Sequence, residues 1–182
     1  MTNWNAGAAD VRNPSFNMIK SDHRKQSAPI QAFSISIEDP IGPVARELIE
    51  ALCSEMSARY GRPPSPFSSD EAASEKSVFL VARRGSEPVA CGALRPFDAD
   101  RAELKRMYVI PAVRRQGFGR LIIAALERHA RAFGYESILL ETGIGQPEAQ
   151  RLYESCGYTR IPAFGPYIGN PSSICFQKVL KA

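Results

Sequence analysis

From residue 31 the chain alternates apolar and polar positions in QAFSISIE, the period of a strand with one face buried. The period then changes. In GPVARELIEALCSEMSARYG, Val44, Leu48, Leu52 and Met56 recur at every fourth position, predicting a helix with one apolar stripe that ends before Gly61. The following RPPSPFSSDEAASE, with three prolines among its serines, cannot continue a helix and reads as a loop. Three strand patterns come next, SVFLVARR, EPVACGALRPF and RAELKRMYVI, the first two joined through a hairpin turn at Gly85-Ser86. Residues 117–133 return to a helical period, with Leu121, Ile122, Ala125, Leu126, Ala130 and Phe133 on one face. ESILLETG reads as a buried strand. PEAQRLYESCG reads as a short helix, with Pro147 in its first turn, Glu148 at the positive end of the dipole and Gly157 past its end. YTRI and SSICFQKVL are two final strands.

The order is therefore β, α, a loop or short helix, βββ, α, β, α, ββ. It predicts one α/β domain around a mixed, mostly antiparallel sheet of about seven strands flanked by helices. Residues 1–28 hold few large apolar side chains and show no period, and we read them as a flexible N-terminal extension to a domain over 29–182. A chain of 182 residues with 44% apolar and 23% charged positions has the balance of a soluble globular domain. No apolar run approaches the roughly 20 residues of a membrane helix, and no apolar secretory core stands at the N-terminus, so a cytoplasmic protein without a membrane partner is expected.

Charge and rare residues narrow the chemistry. The net charge of +4 suits an anionic ligand. The basic residues are interleaved with acids and form no aromatic-basic platform, which argues against a nucleic-acid partner. Cys53, Cys91, Cys156 and Cys175 stand singly, as buried free thiols would. His23 and His129 offer no ligand pair, so no metal is expected.

The most informative stretch is VRRQGFGRLI, residues 113–122. Glycines at 117 and 119 remove the Cβ just where a helix begins, and a helix N-terminus presents unpaired N–H groups that attract phosphate. Arg114 and Arg115 add positive charge. The third glycine of a dinucleotide fingerprint and the GKS or GKT of a nucleotide P-loop are both missing. Taken alone, the pair of glycines reads rather as a helix-entry turn with a solvated basic face.

The surroundings add more. RRQGFG fits the [Q/R]-x-x-G-x-[G/A] pyrophosphate motif of the GNAT acetyltransferase superfamily, with Arg114 first and Gly117 and Gly119 as its glycines. AELKRMYVIPAV resembles that family's fourth strand, and EAQRLYESCGY its later helix and following strand. The resemblance covers about residues 30–180 in the same element order. It implies a sheet splayed between strands four and five, with acetyl-CoA in the wedge as acyl donor. Backbone groups of Met107 and Val109 would hold the pantetheine arm. N–H groups from Gln116 through Gly117, Phe118 and Gly119 to Arg120 would hold the diphosphate, with Arg114 and Arg115 beside them.

Acetyl transfer to an amine also needs an acid for the departing thiolate and a base for the amine. Tyr153 in RLYES occupies the position where GNAT enzymes carry a phenolic acid, although its spacing with Ala149, Leu152 and Cys156 also fits a core aromatic. Glu103 matches a carboxylate position of several members. Strand alternation places Glu103, Lys105, Met107 and Val109 on one face, with Lys105 a competing ion-pair partner. Glu141 in LLETG is a second carboxylate, suited to hold an ammonium group or to end a strand. Phe67, Phe164 and Tyr167 are candidate walls of an acceptor pocket, with Asn170 or Ser172 for orientation; simple loop packing explains each equally. The expected function is N-acetylation of a small amine or amino acid by a monomer or homodimer. A non-catalytic acyl-CoA-binding module and acetylation of a protein N-terminus or lysine are the alternatives.

Because the N-terminal extension has no periodic apolar face, deleting residues 1–25 is expected to leave the melting temperature and acetyl-CoA affinity nearly unchanged. Calorimetric melting and titration of the truncated chain check this; a large loss of stability would show that the segment packs on the domain.

Overall fold

A computed structural model describes residues 33–61 and 74–180. The extension and Phe67 lie outside these described residues. Seven strands form one sheet: β1 (Phe33–Ile37), β2 (Val78–Arg84), β3 (Glu87–Pro96), β4 (Arg101–Val109), β5 (Ser137–Gly143), β6 (Thr159–Ile161) and β7 (Ser173–Val179), in the order β1-β2-β3-β4-β5-β7-β6. Only β4 and β5 pair in parallel. The helices are α1 (Pro43–Tyr60), α2 (Phe118–Ala132) and α3 (Pro147–Ser155), and short 3-10 turns cover Pro111–Val113 and Gly165–Tyr167. The hairpin falls where the sequence places it, with Gly85 left-handed at φ 62 and Arg84 opposite Glu87.

Each apolar period is satisfied by a face. Along β2, Val78, Leu80 and Ala82 enter the core beneath α2, whereas Phe79 and Val81 enter a second core beneath α1. Both faces are covered, so β2 reads as a continuous apolar run. The stripe of α2 buries Ile122, Ala125, Leu126 and Ala130 against the sheet, joined by Ile123. The α1 stripe packs as expected through Val44, Leu48 and Leu52, joined by the buried Ala45 and Ile49, while Met56 and the far side of Leu52 line a cleft. A fourfold repeat advances beyond a full turn at 3.6 residues per turn, so the line from Val44 to Met56 winds off the packing face.

One irregularity shapes everything beyond it. Ala93 pairs with Lys105 and Cys91 with Tyr108, so Gly92 alone stands opposite Arg106 and Met107. This is a β-bulge, and Arg106 occupies the left-handed region at φ 56. The extra residue reverses the side-chain alternation. Ala102 and Leu104 share the α2-side core with Met107 and Val109, while Tyr108 joins the α1-side core. The expectation that Glu103 and Lys105 share a face with Met107 and Val109 is thus corrected: the bulge puts the two pairs on opposite faces.

Gly92 permits this close packing. A Cβ there would lie 2.6 Å from both Ile122 Cγ2 and Met107 Sδ, and 3.0 Å from Leu126 Cδ1. Gly92→Val is expected to destabilise the domain by about 1–3 kcal/mol through overpacking. Urea denaturation measures it, and an unchanged midpoint would show that α2 is not seated by this contact.

Candidate active site

The pairing of β4 with β5 runs from Arg101–Ser137 to Leu104–Leu140 and stops, although β4 continues to Val109 and β5 to Gly143. Beyond it the strands part, leaving the Lys105–Val109 edge of β4 without a strand on that side. A cleft of about 700 Å³ lies against this edge, walled also by α1, α3 and the start of α2. Met107, Val109, Arg114, Arg115, Gly117, Phe118, Gly119 and Arg120 all line it. Gln116 does not; it is exposed, and its Nε2 donates to the Ala112 carbonyl at 3.4 Å.

The first turn of α2 is built to receive an anion. Gly117 is the N-cap, left-handed at φ 93, and a Cβ at this position would have no neighbour within 4 Å. No side chain caps the helix and no acid sits in its first turn. The first helical return is Leu121 N–H to the Gly117 carbonyl at 3.1 Å, so the preceding N–H groups have no intrahelical acceptor. Their partial positive charge attracts phosphate-like groups. Gly119 has a different reason to be glycine: a Cβ there would meet Leu152 Cδ2 at 2.9 Å, so its bareness lets α2 approach α3. The Phe118 ring belongs to the core, leaving its backbone to the cleft.

Arg114 is already engaged. Its Nε donates to the Val109 carbonyl at 2.9 Å and its Nη2 pairs with Glu55 of α1. Glu55 also meets Arg59 at 3.4 Å, and Arg59 pairs with Glu148 of α3 and donates to the Gly145 carbonyl at 2.9 Å. This chain of charges ties α1 to α3 and to the loop after β4. The spacing of Glu55 and Arg59 on a helix hints at one of its links. The others join residues far apart in sequence and carry no local signal.

The candidate chemical groups approach from both faces of the sheet. Tyr153 projects from α3 on the α2 side, is 5% exposed, contacts the Phe176 and Tyr158 rings, and lines the cleft. Burial, reinforced by the Glu141 carboxylate and by Cys156, pushes its phenol well above the usual range, so the hydroxyl keeps its proton. Glu103 lies on the other face and is 1% exposed. It accepts from Arg95 Nε and Nη2 at 2.9 and 2.6 Å and from the Tyr167 hydroxyl at 2.6 Å. Lys105 Nζ donates to Tyr167 at 2.8 Å and stands 3.5 Å from Glu103. Glu141, partly buried, accepts from Ser173 Oγ at 2.6 Å.

Tyr167 is thus more than a pocket wall. Burial first, then its hydrogen bond to Glu103 and the charges of Glu103 and Glu141, push its phenol up as well. Its ring meets Phe164 edge-on at 5.2 Å, and Phe164 meets Phe97 in the same way at 5.2 Å. Phe97 has no signature in the sequence, because its role depends on a distant loop, the one carrying Phe164, folding back over it. Asn170 Oδ1 accepts from the Ser172 backbone N–H at 3.0 Å, and the Ser172 carbonyl accepts from Ile144 N–H at 2.8 Å, so both atoms shape the loop itself. All four cysteines are free thiols. Among the described residues, no helix is long and apolar enough to cross a membrane.

Known proteins share this fold. The sequence model of the Acetyltransferase (GNAT) family matches residues 45–158. A relative from Azospirillum brasilense named IAA acetyltransferase is 33% identical over 81% of this chain and 97% of its own. A solved structure from Klebsiella pneumoniae, provisionally named an acyl-CoA N-acyltransferase, superposes with a TM-score of 0.70 at 31% identity, covering 82% of this chain and 98% of that one. A GNAT family acetyltransferase from Elizabethkingia anophelis, solved with acetyl-CoA bound, shares the fold at 17% identity and a TM-score of 0.60 over 81% of this chain and 98% of its own. With the splayed sheet, the anion-receptive helix start and a family match over most of its length, this chain belongs to the acetyltransferase (GNAT) family and is an acyltransferase.

Proposed function

We propose that the protein transfers the acetyl group of acetyl-CoA to the primary amine of a small molecule or amino acid by direct attack. The observation that carries this reading is the gap between β4 and β5. It is lined by an uncapped helix start on one side and by Tyr153, whose phenol keeps its proton, on the other. The open space at Gly117 and the uncapped first turn of α2 fit a diphosphate, and the bare edge of β4 fits an extended amide arm. The name of the Azospirillum relative supports a small-molecule acceptor.

In the reaction, the neutral amine attacks the thioester carbonyl, the C–N bond forms and the C–S bond breaks. Tyr153 gives its proton to the departing thiolate; its high affinity for that proton keeps the acid loaded at neutral pH. The amine's proton leaves through water to the carboxylate pair. Glu103 is held by Arg95 and Tyr167, which favours a role at one remove from the amine. Glu141 is the carboxylate whose charge reaches Tyr153, and we assign it the nearer position. Phe164 and Tyr167, whose rings meet edge-on, are assigned to the acceptor site.

Gly117→Val is expected to weaken acetyl-CoA binding at least about tenfold, near 1.4 kcal/mol, by filling the space before the α2 start and straining a left-handed residue. Gly119→Val is expected to lower stability as well as binding, because its side chain meets Leu152. Titration calorimetry beside thermal melting separates the two. Unchanged binding in Gly117→Val would reduce the loop to a turn.

Tyr153→Phe keeps the ring and removes the proton, so turnover should fall on the order of a hundredfold while acetyl-CoA affinity holds. Since burial raises the phenol, the wild-type rate should show no alkaline fall from Tyr153 below about pH 10, the ordinary phenol value. Glu141→Gln should cost more turnover than Glu103→Gln. Thiol release from acetyl-CoA across a panel of amines measures all of these. Full turnover by Tyr153→Phe, with chemistry rate-limiting, removes the acid assignment and returns Tyr153 to a packed aromatic.

A further inference from the structure

Four arginines line the cleft, and they are not equivalent. Arg114 is paired with Glu55 and bonded to the Val109 carbonyl, and Arg120 Nη1 donates to the Ser155 carbonyl at 3.2 Å. Arg115 and Arg151 are exposed and, among the described residues, have neither a carboxylate nor a hydrogen-bond acceptor in reach. For Arg151 this runs against helical habit. Glu148 stands three residues before it on α3, the usual distance for an ion pair, yet Glu148 turns to Arg59. The other acid of α3, Glu154, pairs with Arg160 at 3.4 Å, and the Ser155 carbonyl one turn on is taken by Arg120. Arg115 stands in the left-handed region at φ 65, a conformation that arginine rarely adopts and that tertiary structure must hold. Two guanidinium groups from different elements are therefore left facing one cleft with their donors unused.

We infer that Arg115 and Arg151 select for an acyl donor that carries a phosphomonoester on its nucleotide, the 3′-phosphate of coenzyme A, over the same donor without it. The inference rests on the reading of the cleft as an acyl-CoA site. The uncapped start of α2 already serves a diphosphate, which coenzyme A and its dephospho form share, so it cannot tell them apart. A phosphomonoester adds about 1.5 to 2 negative charges at neutral pH and three acceptor oxygens, a match for planar guanidinium forks. Its second ionisation lies near pH 6, so the added attraction weakens as pH falls through that value; a diphosphate diester has no such step. The exposure of both arginines makes the preference sensitive to salt.

The test is titration calorimetry of coenzyme A and dephospho-coenzyme A against the full chain, Arg115→Gln, Arg151→Gln and the double variant. The wild type is expected to bind coenzyme A about tenfold or more tighter than the dephospho form. Each single substitution should erase part of that ratio and the double variant most of it, lowering coenzyme A affinity more than dephospho-coenzyme A affinity. Between pH 7.5 and 5.5 only the coenzyme A affinity should fall. Equal binding of the two ligands by the wild type overturns the inference, as does an equal loss for both ligands in the variants. Binding of neither ligand overturns the acyl-CoA reading beneath it, and this inference with it.

Discussion

The β-bulge at Arg106 is the constraint from which the site follows. By setting two residues of β4 against Gly92, it changes which side chains face α2 and marks the stretch where β4 no longer runs beside β5. A continuous ladder would close the sheet and separate its faces. Instead the strands part beyond Leu104 and Leu140, and Tyr153 lines the gap from the α2 side, while Glu103 stays within the paired stretch opposite Leu139 on the other face. The bulge is tolerated because Gly92 has no side chain to collide with Met107 and Ile122. One missing Cβ in a neighbouring strand thus underlies the geometry of the cleft.

Electrostatics divide the cleft into zones. At its α2 end, an uncapped helix start is left without acids, and positive partial charge accumulates. Along its α1 wall, Glu55 and Glu148 absorb Arg114 and Arg59, so those cations become braces between helices rather than attractors. On the far face of the sheet, Arg95 and Lys105 compensate the buried Glu103, with Tyr167 shared between Glu103 and Lys105. A carboxylate that is 1% exposed would be costly without such donors. Burial first, and nearby carboxylates after it, raise the Tyr153 and Tyr167 phenols, with the Glu141 charge bearing on both.

Much of this was legible along the chain. The strands and helices among the described residues follow from alternation in β1, continuous apolar runs in β2 and β5 and a period near 3.6 in α2, punctuated by Gly61, Gly85, Pro147 and Gly157. RRQGFG located the α2 start, and the cleft receives eight of the nine residues read for it, Gln116 being the exception. What the chain did not show depends on neighbouring elements. The shared face expected for Glu103 and Met107 assumed an unbroken pleat, and a bulge depends on what the partner strand offers, which no single strand encodes. On α1 the expected stripe does pack the sheet through Val44, Leu48 and Leu52, but its last member, Met56, turns to the cleft.

The sequence by itself determined the elements, their order and the glycines at the helix start, because hydrophobic period and backbone freedom are local properties carried by a few neighbouring residues. Only the tertiary structure decided which cations are spent and which remain. Arg114 meets Glu55 across 59 positions, and Glu148 leaves Arg151 for Arg59. Tyr167 reaches Glu103 across 64 positions. Charge pairing is settled by distance in space, and distance in space is what folding creates.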